Sequence, residues 1–248
     1  MMRSPLDGLK VLELARVLAG PWAGQLLADL GAEVIKVESP VGDETRKWGE
    51  DSFNNNSSYF KCTNRGKSSF VANFKKKNEL EMVQHLAKNA DIIIENYKVN
   101  NLKEYKLDYK NIKKINKSII YCSITGFGQN GPLALLPGYD FVIQAMAGIM
   151  SITGEKDGPP IKPGVAYADI FTSLYSVIAI QAALHSRKKT GIGCFIDMSL
   201  YDTQLAVLAN QASTYLLNGK EPKRMGNKHP SIVPYLSLIH IWRCRRAI

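Results

Sequence analysis

Short apolar runs alternate with amphipathic segments through the first half of the chain. Apolar runs predict strands at 10–14, 33–37, 69–74, 91–95 and 118–125. Apolar residues at helical spacing predict helices at 22–30, 78–89 and 109–116. Because strands and helices alternate, the pattern predicts a doubly wound α/β fold with a mostly parallel sheet.

The second half of the chain has longer helical segments, and its last residues differ in composition from the rest of the chain. We predict helices at 138–150, 170–187 and 200–217, with one more strand at 193–199. We therefore expect one large domain over 1–217, and the polar, turn-rich segment 218–235 is a candidate linker. Residues 236–248, LSLIHIWRCRRAI, break from the composition before them and resemble a translated sequencing adapter, so we expect a non-native tail.

Charge and composition limit the partners of the chain. The 248 residues carry a formal charge of +10, which indicates an anionic partner or only a lysine-rich proteome. No zinc-finger spacing or aromatic-interleaved pattern favours nucleic acid. The apolar run 170–184 contains four polar residues, so we expect no membrane span. The four cysteines are widely spaced and no signal peptide is evident, which favours reduced thiols, no metal site and a cytoplasmic protein.

Several candidate functional residues are weak on local sequence alone. The first strand is not followed by the three-glycine turn of a dinucleotide site, although Glu38 ends the second strand as such a site would require. Ser199 and Cys194 lack a nucleophile-elbow motif, and no histidine pair has metalloprotease spacing.

Asp169 is the most informative carboxylate, because it interrupts small and apolar residues near a predicted helix start. One reading makes it an N-cap that accepts backbone hydrogen bonds. The other makes it an ionised carboxylate at the positive end of a helix, able to attack an activated acyl carbon without a separate base, since a free Asp has a pKa of about 3.9.

An ordered series of short motifs resembles one known family over residues 5–235. The motifs are PLDGLKVLEL at 5–14, LLADLGAEVIKVE at 26–38, GDETR at 42–46, NRGKS at 64–68, ADIIIENY at 90–97, GFGQNGP at 126–132, Tyr139-Asp140, Asp169 and TGIG at 190–193. In this order and spacing they resemble class III CoA-transferases of the formyl-CoA or carnitine CoA-transferase type.

The resemblance implies a fold, a reaction and a set of contacts. It implies a large α/β domain and a small domain, two subunits interlocked as a homodimer, and Asp169 as the nucleophile that forms an aspartyl anhydride and then an enzyme–CoA thioester. CoA and acyl-CoA would be substrates, with a carboxylic acid as acceptor, no permanently bound cofactor and no metal. If residues 236–248 are foreign, the native protein continues past Tyr235, so we expect a chain truncated at its C-terminus with the small domain missing.

The resemblance also places the CoA contacts. They fall on Leu18, Ala19, Ala72, Asn73, Phe74, Lys75, Asn96, Tyr97, Lys98, Leu136, Pro137, Gly138 and Tyr139. Ser39 and Glu104 stand where some members have arginines for the CoA phosphates. Lys98, Lys103 and Lys106 are candidates to replace those arginines.

Two other functions stay open from the sequence. An α-methylacyl-CoA racemase resembles the same family, but racemases carry a histidine where this chain has Tyr139. A non-catalytic CoA-binding protein is the second alternative, which an intact Asp169 disfavours.

Overall fold

The structure is a computed structural model of the chain and describes residues 4–49, 52–53 and 56–233. The predicted non-native tail at 236–248 lies outside the described residues and stays a prediction.

Six parallel strands form the central sheet, and a short antiparallel hairpin lies apart from it. The strands are β1 (Lys10–Leu14), β2 (Glu33–Glu38), β3 (Ser52–Phe53), β4 (Asn56–Ser57), β5 (Lys67–Val71), β6 (Ile92–Glu95), β7 (Ile120–Thr125) and β8 (Phe195–Ser199). The sheet has the order β5-β2-β1-β6-β7-β8 with every neighbouring pair parallel, and β3 pairs with β4. This order confirms the predicted doubly wound sheet.

Helices connect the strands and cover both faces of the sheet. They are α1 (Ala19–Asp29), α2 (Ser58–Asn64), α3 (Lys77–Asn89), α4 (Tyr109–Ile115), α5 (Asp140–Met146), α6 (Ile149–Ile152), α7 (Tyr167–Thr190), α8 (Leu200–Ala206) and α9 (Asn210–Asn218). Two short 3₁₀ turns occupy Glu44–Lys47 and Asn101–Lys103.

The core is divided by the sheet into two layers. Side chains such as Val11 and Ile94 point towards α1 and α7, whereas Leu12 and Ile93 point towards α3 and α4. Successive residues of β1 and β6 thus alternate between two buried layers. This explains why these strands are continuously apolar rather than alternating.

Several predicted boundaries differ from the structure for local reasons. Helix α1 begins at Ala19, and Pro21 lies in its first turn, where a missing N–H breaks no helical hydrogen bond. The predicted helix 138–150 is split at Gly148, and the predicted helix 200–217 is split at Ala209; both residues have positive φ. The third sheet strand is 67–71 rather than 69–74.

Helix α7 is longer than predicted, at 24 residues, and by length and composition alone it could cross a membrane. Its Thr172, Ser173 and Ser176 are fully buried, and each hydroxyl donates a hydrogen bond to a carbonyl. Buried hydroxyls that form hydrogen bonds are also found in helices at the core of a globular domain, so they do not distinguish such a helix from a membrane span. The absence of a membrane span stays a prediction.

Four charged side chains form a buried ion network between β1, β2 and β5. Lys36 Nζ lies 3.0 Å from Glu13 Oε1 and 2.9 Å from Asp43 Oδ2, and Lys67 Nζ lies 2.7 Å from Glu13 Oε2. All four side chains are at most 2% exposed. The glycine at position 24 makes room for this network, because a Cβ there would collide with the Glu13 carboxylate.

Candidate functional site

A pocket of about 270 Å³ opens at the carboxyl ends of the central strands. Its walls come from the loop after β1 (16–19), the segment after β6 (96–99) and the end of β7 with its following turn (124–126). From β1 the chain builds the sheet outwards in one direction, and from β6 it builds the sheet in the other. The pocket therefore lies at the topological switch point, where doubly wound folds bind ligands.

Asp169 lines this pocket from the first turn of α7. It is the third residue of the helix, and Ala166 takes the N-cap position without a side-chain hydrogen bond. The N-cap reading of Asp169 is therefore wrong. Ser173 fixes this turn of α7, because its hydroxyl lies 2.8 Å from the Asp169 carbonyl and 2.6 Å from that of Ala19 in α1.

Asp140, which the sequence did not single out as a functional residue, caps α7 from the start of α5. Its Oδ1 accepts hydrogen bonds from the Ala168 N–H at 2.9 Å and the Asp169 N–H at 3.4 Å. Its Oδ2 accepts one from Gln144 Nε2 at 2.7 Å. This remote cap fixes the helix turn that carries Asp169, and it brings a second carboxyl close to it.

The surroundings of Asp169 favour its neutral form. Asp169 is partly accessible through the pocket, but protein atoms surround its carboxyl on most sides. This burial, with the nearby charge of Asp140, raises the pKa of Asp169 to about 7. Burial and the same two carboxyls raise the pKa of Tyr59 to about 12, so its phenol keeps its proton. Tyr59 lies in α2, a helix that the sequence pattern did not predict.

Most of the predicted CoA contacts meet in this pocket. Those that line it with Asp169 are Leu18, Ala19, Asn96, Tyr97, Lys98, Leu136, Pro137, Gly138 and Tyr139. Lys98 gives the walls positive charge, and Arg16 adds a guanidinium that is paired with Glu44 Oε1 at 3.1 Å. Such a lining fits an anionic ligand.

The predicted segment 72–75 does not line the pocket but lies next to one wall. The ring of Phe74 is 6.5 Å from the ring of Tyr97 and 5.3 Å from that of Tyr105. The Asn73 side chain accepts the Lys75 N–H, and the Asn73 N–H is held by Glu79, so the segment has a defined turn. CoA binding by Ala72, Asn73, Phe74 and Lys75 stays a prediction.

Lys103 lies in a second cavity of about 380 Å³, which shares Lys98 and Val99 with the pocket. Its floor includes Glu95, whose burial raises the pKa of the carboxyl to about 7. Glu95 accepts the Tyr97 N–H at 2.8 Å and so supports the segment between the two spaces. Of the three lysines considered for the CoA phosphates, Lys98 thus lines both cavities, Lys103 lines only the second, and Lys106 lines neither.

Comparison with known proteins finds one family model and several similar relatives. The sequence model of CoA-transferase family III matches residues 6–246. A succinate–glutarate CoA-transferase of Agrobacterium fabrum is 55% identical over 94% of this chain and 60% of its own length, and the Mus musculus succinyl-CoA:glutarate CoA-transferase is 50% identical over 93% and 53%. A crystal structure of a CAIB/BAIF family protein from Brucella suis is 58% identical, with a TM-score of 0.91 over 94% of this chain and 63% of that one. The chain thus spans between half and two thirds of the length of these relatives.

Proposed function

The chain belongs to CoA-transferase family III, and from that premise we propose that it supplies the acyl-CoA pocket and the nucleophile of a CoA-transferase. The reaction would move CoA from an acyl-CoA donor to a carboxylic acid. The observation that carries this proposal is the position of Asp169, whose carboxyl faces a pocket at the switch point of the sheet. The interlocked homodimer is a proposal that rests on the family alone, and the cytoplasmic location is a proposal that rests on the reduced thiols favoured by the widely spaced cysteines.

The proposed mechanism uses Asp169 twice. Its carboxylate attacks the thioester carbonyl of the donor, a C–O bond forms, and the C–S bond breaks to release CoA thiolate. The thiolate attacks the Asp169 carbonyl of the resulting anhydride, expels the donor acid and leaves an enzyme–CoA thioester. The acceptor carboxylate then repeats both steps in reverse order, which returns Asp169 to a free carboxylate.

The relatives suggest a short dicarboxylic acid as substrate. The printed names of the bacterial and mouse relatives combine succinate or succinyl-CoA with glutarate. In this chain Arg16 and Lys98 line the pocket, and either cation suits the free carboxylate of such an acid or the phosphates of CoA. We propose succinyl-CoA as donor and glutarate as acceptor.

We expect the protein to convert succinyl-CoA and isotope-labelled glutarate into labelled glutaryl-CoA. Mass spectrometry of the products measures this conversion. A monocarboxylic acid of similar length is the matched control acceptor and should react at least about tenfold more slowly. CoA binding without any exchange would favour the non-catalytic alternative. Deuterium incorporation into an α-methylacyl-CoA in D₂O would favour the racemase.

The racemase alternative has little support in the pocket. Proton exchange at an α-carbon needs an acid and a base on either side of the substrate. Among the described residues that line the pocket there is no histidine, and Tyr139 stands at the position where racemases carry one. The raised pKa of Asp169 suits either chemistry, so it does not decide between them.

The pKa of Asp169 predicts a pH dependence for transfer. Only the ionised carboxylate attacks, so kcat/KM should rise with pH and level off above a limb near pH 7. Asp140→Asn should move this limb to lower pH, because it removes a negative charge beside Asp169. Gln144 can accommodate the new amide by rotating its own, because its Oε1 has no hydrogen-bond partner among the described residues; the rotation gives up the Nε2 hydrogen bond to the Val165 carbonyl at 3.3 Å.

Glu95 supplies the control for this pH profile, because its pKa is also about 7. Glu95→Gln can lower the plateau, but it should leave the limb where it is. A limb that moves with Glu95→Gln and not with Asp140→Asn would contradict the assignment of the titration to Asp169.

A further inference from the structure

The loop that forms one wall of the pocket has a strained backbone. Val17 has a φ of 70°, a left-handed conformation that a β-branched residue rarely adopts. Such a conformation is energetically unfavourable for a β-branched residue and persists only where surrounding contacts impose it. Val17 and its neighbours Arg16, Leu18 and Ala19 all line the pocket.

Side chains from three other segments hold the backbone of this loop. Lys36 Nζ donates to the Ala15 carbonyl at 2.7 Å. The Asn96 side chain accepts the Arg16 N–H at 3.0 Å and donates to the Arg16 carbonyl at 2.7 Å. The Val17 N–H donates to Asp43 Oδ2 at 3.3 Å.

Asp43 connects the loop to the buried ion network. Its Oδ2 accepts from Lys36 Nζ and the Val17 N–H, and its Oδ1 accepts from the N–H and the hydroxyl of Thr45. Both carboxylate oxygens therefore face donors only. An asparagine at this position offers one acceptor atom and one NH₂ group, so it must place an N–H against either Thr45 or the Lys36–Val17 side.

We propose that Asp43, together with Lys36 and Asn96, is a positioning residue that imposes the left-handed turn at Val17 and so shapes the acyl-CoA pocket, an inference that rests on the proposed function. Asp43 does not line the pocket; it acts through the backbone of the loop. The charge of Asp43 is retained for this role: burial alone would raise its pKa, but Lys36 and the Thr45 donors outweigh burial and lower it. This contact gives a structural role to the aspartate of the sequence motif GDETR at 42–46.

Asp43→Asn is the direct test, and Asp91→Asn is its matched control. Asp91 also receives donors on both oxygens, from Arg187 Nη2 at 3.0 Å and the Lys10 N–H at 3.0 Å. It is 31% exposed and lies just before the amino end of β6, whereas the pocket lies at the carboxyl ends of the strands. Asp43→Asn should weaken CoA binding about tenfold by calorimetry and speed hydrogen exchange in the 15–19 segment. Asp91→Asn should leave both within about twofold.

Val17→Gly separates positioning from a general loss of stability. Glycine adopts positive φ without strain, so it needs no imposed turn. The double variant Asp43→Asn/Val17→Gly should recover most of the lost CoA affinity, to within about threefold of the unsubstituted protein. Because Val17→Gly also relieves strain, every affinity is measured at a temperature at which the melting curve of that variant shows it fully folded, so that a change in stability alone leaves the measured affinity unchanged.

Three results would overturn the proposal: unchanged exchange of 15–19 in Asp43→Asn, equal losses in Asp91→Asn, or no recovery in the double variant. The exchange measurement needs no ligand. If the unsubstituted protein fails to bind CoA, the proposed function fails, whereas the exchange data still decide whether Asp43 holds the loop.

Discussion

Asp169→Asn is expected to reduce CoA transfer by roughly four orders of magnitude or more, since the side-chain amide cannot form the aspartyl anhydride. The substitution keeps the size and shape of the side chain in the first turn of α7. CoA binding should survive, because the pocket walls come from other segments. The measurement is kcat for succinyl-CoA and glutarate alongside the dissociation constant for CoA.

Asp202→Asn is the matched control for this experiment. Asp202 is the third residue of α8, as Asp169 is of α7, but it is exposed and lies outside the pocket. Its substitution should leave transfer within about twofold. Retention of more than a few per cent of activity in Asp169→Asn would show that Asp169 is not the nucleophile.

Stability should distinguish a chemical defect from a folding defect in Asp169→Asn. The folded-state pKa of Asp169, about 7, lies above the unfolded value, so the folded protein binds more protons between pH 4 and 7. The contribution of Asp169 to stability therefore falls as pH rises through this window. At pH 8 the variant should be at least as stable as the unsubstituted protein, by up to about 2 kcal/mol after allowance for solvent access, and near pH 4 the difference should vanish.

Lys36→Met is expected to lower the free energy of unfolding by about 3–5 kcal/mol, which would reduce the melting temperature by on the order of 10 °C. Lys67 can still neutralise Glu13, but Asp43 would lose its direct ion pair, and only the more distant charges of Arg46 and Lys67 would act on its buried carboxylate. The Ala15 carbonyl would also lose its donor. Chemical or thermal unfolding measures the effect.

Two variants test whether burial is the cause of this loss. Lys77→Met removes a lysine whose ion pair with Glu81 is 3.9 Å long and largely exposed, and it should cost less than about 0.5 kcal/mol. Lys36→Met/Asp43→Asn also removes the carboxylate charge that Lys36→Met leaves without its ion pair. The loss of unfolding free energy in this double variant should therefore be smaller than the sum of the losses in Lys36→Met and Asp43→Asn. Two results would contradict a buried network. One is a loss of unfolding free energy in the double variant that equals the sum of the two single losses, and the other is an equal loss in Lys36→Met and Lys77→Met.

The sheet could be predicted because its strands are local and continuously apolar. The runs at β1, β6 and β7 are buried on both faces, and their predicted positions lie within two residues of the observed ones. Helix α2 and the hairpin β3–β4 were missed, since they are short and lack a periodic pattern. The breaks at Gly148 and Ala209 were missed as well, because each depends on a single positive φ within an apolar helical segment.

The site was harder to predict, because its geometry depends on contacts between distant segments. Lys36 lies in a strand sequence, EVIKVE, in which a lysine suggests a solvent-facing position, yet it is 1% exposed. Its partners Glu13 and Asp43 come from β1 and from the turn after β2, and no local pattern connects them. Asp140 likewise lies close to Asp169 only through the packing of α5 against α7. Asp169 itself was identified through family resemblance and not from its immediate neighbours.

The central claim is that CoA becomes covalently attached through Asp169, and intact-protein mass spectrometry after incubation with succinyl-CoA alone tests it most directly. The account predicts an adduct with the mass of CoA less one water, mapped by proteolysis to the peptide that contains Asp169, absent in Asp169→Asn and removed by glutarate with formation of glutaryl-CoA. Transfer without any such adduct, or an adduct mapped to another residue, would contradict the account.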